Sequence, residues 1–174
     1  MGLPQGVQPQ PPPPSSSSTS SSDALKDPAG LPPEAIALAT RLFDFARQGD
    51  TRTLSQYIQA GIPANLTNHK GDTLLMLAAY HGHPETVAML ISRGADVNCL
   101  NDRGQSPVAG AVFKGYDEVV RVLVQEGGAD VWAGQPCAVD AGRMFKREGA
   151  LRLMGYTLEE EGSSPQGSGG GAGG

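Results

Sequence analysis

The chain is poor in the residues that build secreted, membrane-spanning or disulfide-bonded proteins. It has two cysteines, Cys99 and Cys137, and no Cys-x-x-Cys pair, so they read as two small, partly buried thiols rather than a disulfide framework or a redox pair. No stretch approaches the roughly 20 apolar residues that a bilayer requires. The N-terminus lacks the basic and apolar regions of a signal peptide. Met1 and Gly2 could open a myristoylation signal, but Gly6 stands where that signal needs Ser or Thr. These absences predict an intracellular protein with no membrane partner, in the cytoplasm and, in a eukaryote, also open to the nucleus.

A surplus of positive charge is missing as well. Thirteen Lys and Arg stand against 18 Asp and Glu, a formal net charge of −5. The whole excess comes from the ends, where Asp23, Asp27, Glu34, Glu159, Glu160 and Glu161 face only Lys26. The stretch between them is neutral. Nucleic-acid binders carry a basic patch or stripe to engage phosphates, so neither DNA nor RNA is expected as the partner.

The same ends are poorly suited to folding. Residues 1–34 contain the Pro11 to Pro14 run and the Ser15 to Ser22 tract, broken only by Thr19. Such a segment has too little apolar surface to offset chain entropy and is expected to be a disordered Pro/Ser-rich tail. Residues 157–174 turn from acidic to Gly- and Ser-rich and read as a second disordered tail. Pro11 to Pro14 could form a polyproline II segment for an SH3- or WW-like reader, and the serines could accept phosphate. Residues 35–156 are left as the folded domain.

What that domain has is a period. Gly49, Gly82 and Gly115 are spaced by 33 residues, as are Gly61 and Gly94, with Gly127 next in step. The same step links Leu42, Leu75 and Val108, then Asn65 and Asn98, then Gly71 and Gly104. Repeats of this size mark stacked supersecondary units rather than one closed core.

Residues 68–100 show the unit most clearly. Gly71 suits a turn, Thr73 is placed to cap a short apolar helix from Leu74 to Ala79, and Gly82 ends it after Tyr80 and His81. Pro84 fits the first position of a second helix, in which Val87, Leu90 and Ile91 recur at helical spacing until Gly94. Helices this short are marginal in water on their own, since about 12–15 residues are needed. They must stack. Ala78 and Ala79 allow close approach, and Leu75, Leu77, Val87 and Leu90 are the candidate filling between units. The next unit repeats the plan, with Ser106 and Pro107 opening its first helix, Gly115 closing it, and Val119, Val120, Leu123 and Val124 lining the second.

Three segments carry a family resemblance: Gly71-Asp72-Thr73-Leu74-Leu75-Met76-Leu77-Ala78-Ala79, then Gly82-His83, then Gly94-Ala95-Asp96-Val97-Asn98. Together they resemble the ankyrin repeat, and Ser106-Pro107-Val108 and Gly128-Ala129-Asp130-Val131 restate most of it. The resemblance implies an all-α solenoid of about four units, roughly 35–67, 68–100, 101–133 and 134–156, the outer two being atypical caps. Met76 and Ala109 stand where the family often has histidine, which implies that packing holds those helices. The extra residue in Gly127-Gly128 predicts a looser loop or a slightly rotated fourth unit.

Catalytic readings find little footing. His69, His81 and His83 invite a metal-dependent hydrolase or enzyme-accessory reading, but no nearby Cys or carboxylate pair completes a ligand pattern. Ser106, Asp72 and His81 could be written as a triad, yet no nucleophile elbow or phosphate-binding glycine loop accompanies them. Neither an enzyme nor a cofactor is expected. A purely structural, self-associating protein is a further alternative, and a monomer is expected.

Binding fits better, because stacked repeats present an extended concave face of turn tips and inner helices. The resemblance assigns that face to His69, Lys70 and Asp72 with Tyr80 and His81, then Asp102, Arg103 and Gln105 with Phe113 and Lys114, and Arg47 and Gln48 in the first unit. Tyr80 and Phe113 should be neighbours along the groove, with an inward, merely packing Phe113 as the alternative. The expected function is that of an adaptor, regulator or assembly factor holding a protein partner there.

Overall fold

The computed structural model describes residues 32–158. The serine tract and the polyproline run lie outside the described residues, as does the Gly/Ser-rich end. Eight helices form four hairpins: α1 (Pro33–Gln48) with α2 (Thr51–Gln59), α3 (Leu74–Tyr80) with α4 (Pro84–Ser92), α5 (Pro107–Lys114) with α6 (Asp117–Arg121), and α7 (Ala138–Met144) with α8 (Glu148–Leu153). The described residues contain no strand beyond a single antiparallel bridge between Thr67 and Thr73. Pro33 and Glu34, expected in the tail, form the first turn of α1, where proline is tolerated because its missing N–H would have no helical partner.

The hairpins stack in two rows. α1, α3, α5 and α7 pack side by side in the inner row, and α2, α4, α6 and α8 follow one another in the outer row. Leu42, Leu75 and Val108, the 33-residue series, are buried between inner helices, and Leu54, Val87, Leu90, Val120, Leu123 and Leu151 are buried beneath the outer ones. Each such side chain stabilises by about 1.5–3 kcal/mol. α3 and α4 have 7 and 9 residues, too short to persist without these contacts.

Every inner helix after the first opens on the same capping device. The Thr73 hydroxyl accepts the Met76 N–H at 3.1 Å and the Ser106 hydroxyl accepts that of Ala109 at 3.3 Å. Cys137 takes the same place in the last unit, its sulfur accepting the Asp140 N–H at 3.4 Å. Burial pushes the Cys137 thiol up from its ordinary pKa, so it stays protonated.

The inner helices also close alike. Gly49, Gly82 and Gly115 are left-handed, with φ of 74°, 80° and 80°. A Cβ there would lie 2.5 Å from the His83 ring, 2.8 Å from the Tyr116 ring and 2.9 Å from the Arg147 guanidinium, respectively. Each hairpin thus covers the helix end of the hairpin before it. His83 Nε2 sits 2.7 Å from the Arg47 carbonyl oxygen, and Arg147 donates to the Phe113 carbonyl at 3.2 Å.

The added residue of the third unit is not where a loop was expected. It is absorbed inside the outer helix, which continues from α6 as a π turn over Val122–Glu126. The Gly127 N–H reaches back to the Val122 carbonyl at 3.1 Å. Gly128, with φ of 65°, takes the left-handed place held by Gly61 and Gly94, while Gly127, next in step by counting, has φ of −91°. The widened helical turn keeps the following Ala129-Asp130 in frame: the Asp130 N–H donates to Asn98 Oδ1 at 2.8 Å, as the Asp96 N–H donates to Asn65 Oδ1 at 2.7 Å.

Candidate functional site

A groove of about 420 Å³ runs across α3, α5 and α7 on the inner-row face. Its floor is Met76, Leu77, Ala109, Gly110 and Ala141; one wall is the turn tips, with Lys70, Asn101, Arg103 and Gln105, and the other is the helix ends, with Tyr80, Phe113 and Phe145.

The turn wall is built by asparagines. Asn68 Oδ1 accepts the N–H groups of Lys70 and Asp72, at 2.8 and 3.0 Å, and Asn101 Oδ1 accepts those of Arg103 and Gln105, at 3.0 and 2.9 Å. Successive turns are then tied together: the Asp102 N–H donates to the Lys70 carbonyl at 3.0 Å, and the Asn101 amide donates to Asp72 Oδ1 at 2.8 Å.

The opposite wall is aromatic. Tyr80, Phe113 and Phe145 are each about 40% exposed, so the inward alternative for Phe113 does not hold. Phe113 meets Phe145 edge to face with centroids 4.8 Å apart, and the Lys114 ammonium lies 4.6 Å above the Tyr80 ring. Arg47 pairs with Asp44 at 2.7 Å. The His81 pKa lies below its ordinary value, first through burial and then through the electrostatic influence of His83, Arg47 and Lys114, which favours the neutral ring.

Of the expected face, Arg47, Lys70, Asp72, Tyr80, His81, Arg103, Gln105 and Phe113 line this groove. Gln48, His69, Asp102 and Lys114 are exposed beside it without lining it. Asp72 departs from the expectation in one respect. It is buried, with one oxygen held by Asn101 and the other by the Asn68 amide at 3.2 Å, so its carboxylate links turns instead of facing solvent.

Asn101 and Phe145 were not foreseen as site residues. Asn101 lies one 33-residue step after Asn68, a signal that was there to be read. Phe145 is off step: it follows Phe113 by 32 residues and lies eight past the capping Cys137, where Tyr80 and Phe113 lie seven past theirs, and Cys137 does not look like a cap in sequence.

The His83 ring is engaged by the Arg47 carbonyl oxygen, and Ser106 is buried and spent on its cap. Among the described residues no group of three or more His, Cys, Asp and Glu is arranged to hold a metal ion, and no helix is long and apolar enough to cross a membrane.

Comparison with known proteins gives the same picture. A family model described as ankyrin repeats, in three copies, matches residues 42–135. An ankyrin repeat protein of Pseudomonas aeruginosa is 65% identical over 43 residues, a stretch that covers 25% of this chain and 25% of that relative. With the family model spanning more than half of the chain, and with an all-helical two-row stack beneath it, this protein belongs to the ankyrin-repeat family.

Proposed function

We propose that this protein is a non-enzymatic binding module that holds a protein partner in the groove across α3, α5 and α7, acting as an adaptor, regulator or assembly factor. Ankyrin repeats generally mediate protein–protein interaction and are typically non-enzymatic. The observation that carries the reading is the row of half-exposed aromatics, Tyr80, Phe113 and Phe145, beside a wall of hydrogen-bonded turns. Aromatic side chains left open to water in a concave, preformed site are the kind of residue on which binding energy concentrates. The turn ties fix the wall before a partner arrives, so little ordering entropy is lost on association. Residues 33–156 would be the binding domain and the flanking segments tails, with the protein monomeric and in the cytoplasm.

The direct test is Tyr80→Ala with Phe113→Ala. Crosslinking and mass spectrometry from native extract should identify a partner with the wild-type chain and lose it with the double variant. Helical content should be unchanged and stability within about 1 kcal/mol, since both rings are partly exposed. Capture that survives would mean that another face is used, and a large cooperative loss of stability would mean that Phe113 is a core residue. Deleting residues 1–30 separates this reading from one in which the polyproline run is the ligand; capture should persist.

A further inference from the structure

We propose that in the free chain the groove is occupied by the chain's own Pro11 to Pro14 run, which a partner has to displace. This rests on the reading of the groove as the partner site and adds what holds that site before a partner arrives.

Ring spacing sets the register. Tyr80 and Phe113 hold the same place on the neighbouring helices α3 and α5, and packed helices lie roughly 8–10 Å apart. Phe145 meets Phe113 edge to face, so the wall offers two platforms open to water, the Tyr80 ring and the Phe113–Phe145 pair. A polyproline II chain repeats every three residues with a rise of about 3.1 Å, or about 9 Å per turn. Pro11 and Pro14 are three apart, so one falls on each platform. Proline-rich segments dock on aromatic-lined grooves in this way. Ala109 and Gly110 keep the floor between the platforms low enough for the two intervening prolines.

Hydrogen bonding sets the chemistry. Lys70 and Arg103 share the turn wall with the carboxylates of Asp72 and Asp102, so its charge selects no sign of occupant. Both Asp72 oxygens are already held, by Asn101 and Asn68, and Asp102 does not line the groove. The side chains that face the groove from this wall include the donors Lys70, Arg103 and Gln105. A run of prolines has carbonyl acceptors and no N–H, which suits a wall of donors. An extended strand brings N–H donors of its own, and a helix spends its carbonyls on itself.

The run can reach. Eighteen residues, 15–32, join it to α1 and span up to about 60 Å. α1 has 16 residues and is about 24 Å long, and the groove opens beside its last turn at Arg47. The two platforms lie within two helix spacings of α1, roughly 20 Å. A short tether gives an effective concentration in the mM range, so a run with a Kd of about 0.1 mM is about nine tenths in place and weakens a competing ligand roughly tenfold.

The test uses the full chain, with a fluorescein-labelled peptide of residues 8–16 as probe, read by anisotropy at up to about 1 mM chain. Wild type is compared with a variant carrying Pro11→Ser, Pro12→Ser, Pro13→Ser and Pro14→Ser together, which keeps the tether length. The probe should bind this variant about tenfold more tightly than wild type. Adding Tyr80→Ala with Phe113→Ala should abolish that binding, with the circular dichroism spectrum unchanged throughout. Equal binding to wild type and the proline variant would overturn self-occupancy and leave the groove reading standing. Tight binding indifferent to the loss of both rings would overturn the groove reading itself. No binding of the probe to either chain would overturn the proposal, and the groove reading then rests on the partner capture described above. A wild-type mass that rises with concentration in light scattering, and returns to that of a monomer in the proline variant, would overturn the intramolecular assignment in favour of a second copy.

Discussion

A single backbone conformation recurs at the end of each inner helix, and it decides which residue can stand there. Gly82 has φ of 80° and its Cα faces the Tyr116 ring, so Gly82→Ala meets both the left-handed penalty and a contact of 2.8 Å. It should cost about 2–3 kcal/mol, of which about 1–2 is conformational. The fourth unit breaks the pattern with Lys146, a non-glycine at φ of 52°. Lys146→Gly should therefore stabilise, by about 0.5–1 kcal/mol after the added chain entropy of glycine. Urea unfolding of the two variants checks the pair; a loss of stability in Lys146→Gly would contradict this account. The glycine series was plain in the sequence because its spacing is regular. Its physical partners, His83, Tyr116 and Arg147, were not, because three unlike side chains do one covering job.

Among the elements, the outer helix of the third hairpin is the least regular. Its π turn accommodates one added residue where a straight helix would have thrown Ala129-Asp130 out of frame with Asn98. Deleting the exposed Gln125 should convert the π turn to α-helix, with unfolding still in a single transition and a midpoint no lower than wild type. Gly127→Ala should instead cost about 1–3 kcal/mol, because a Cβ would meet the Leu123 carbonyl oxygen and Val97 Cγ1, each at 2.8 Å. A destabilised deletion with a silent Gly127→Ala would show that the π turn is not the accommodating device. The cap Thr73, the helix opening at Ser106-Pro107 and the helix start Pro84 were placed correctly from the sequence. It put the insertion in a loop, since a Gly-Gly pair signals a turn and nothing local reports hydrogen bonds to the fifth preceding residue.

For the molecule as a whole, the fold class was readable because the repeat imposes the same demands three times over. The groove was readable only in outline. Lys70, Arg103, Tyr80 and Phe113 come together as the period implies, whereas Phe145 enters from a unit that is off step, and Asp72 turns from solvent to join two turns. The Asp72 departure arises from a contact between units, which spacing along one unit does not encode, and that of Phe145 from the irregular spacing of the last unit. The same contacts carry the order of the whole stack, and this is open to one direct measurement. A peptide of residues 68–100, which contains α3 and α4 complete, should give a largely unordered circular dichroism spectrum, while the full chain shows the helical signal of the packed stack. A cooperative, thermally melting helical signal from that peptide alone would contradict the claim that these helices, and the groove they form, exist only through their neighbours.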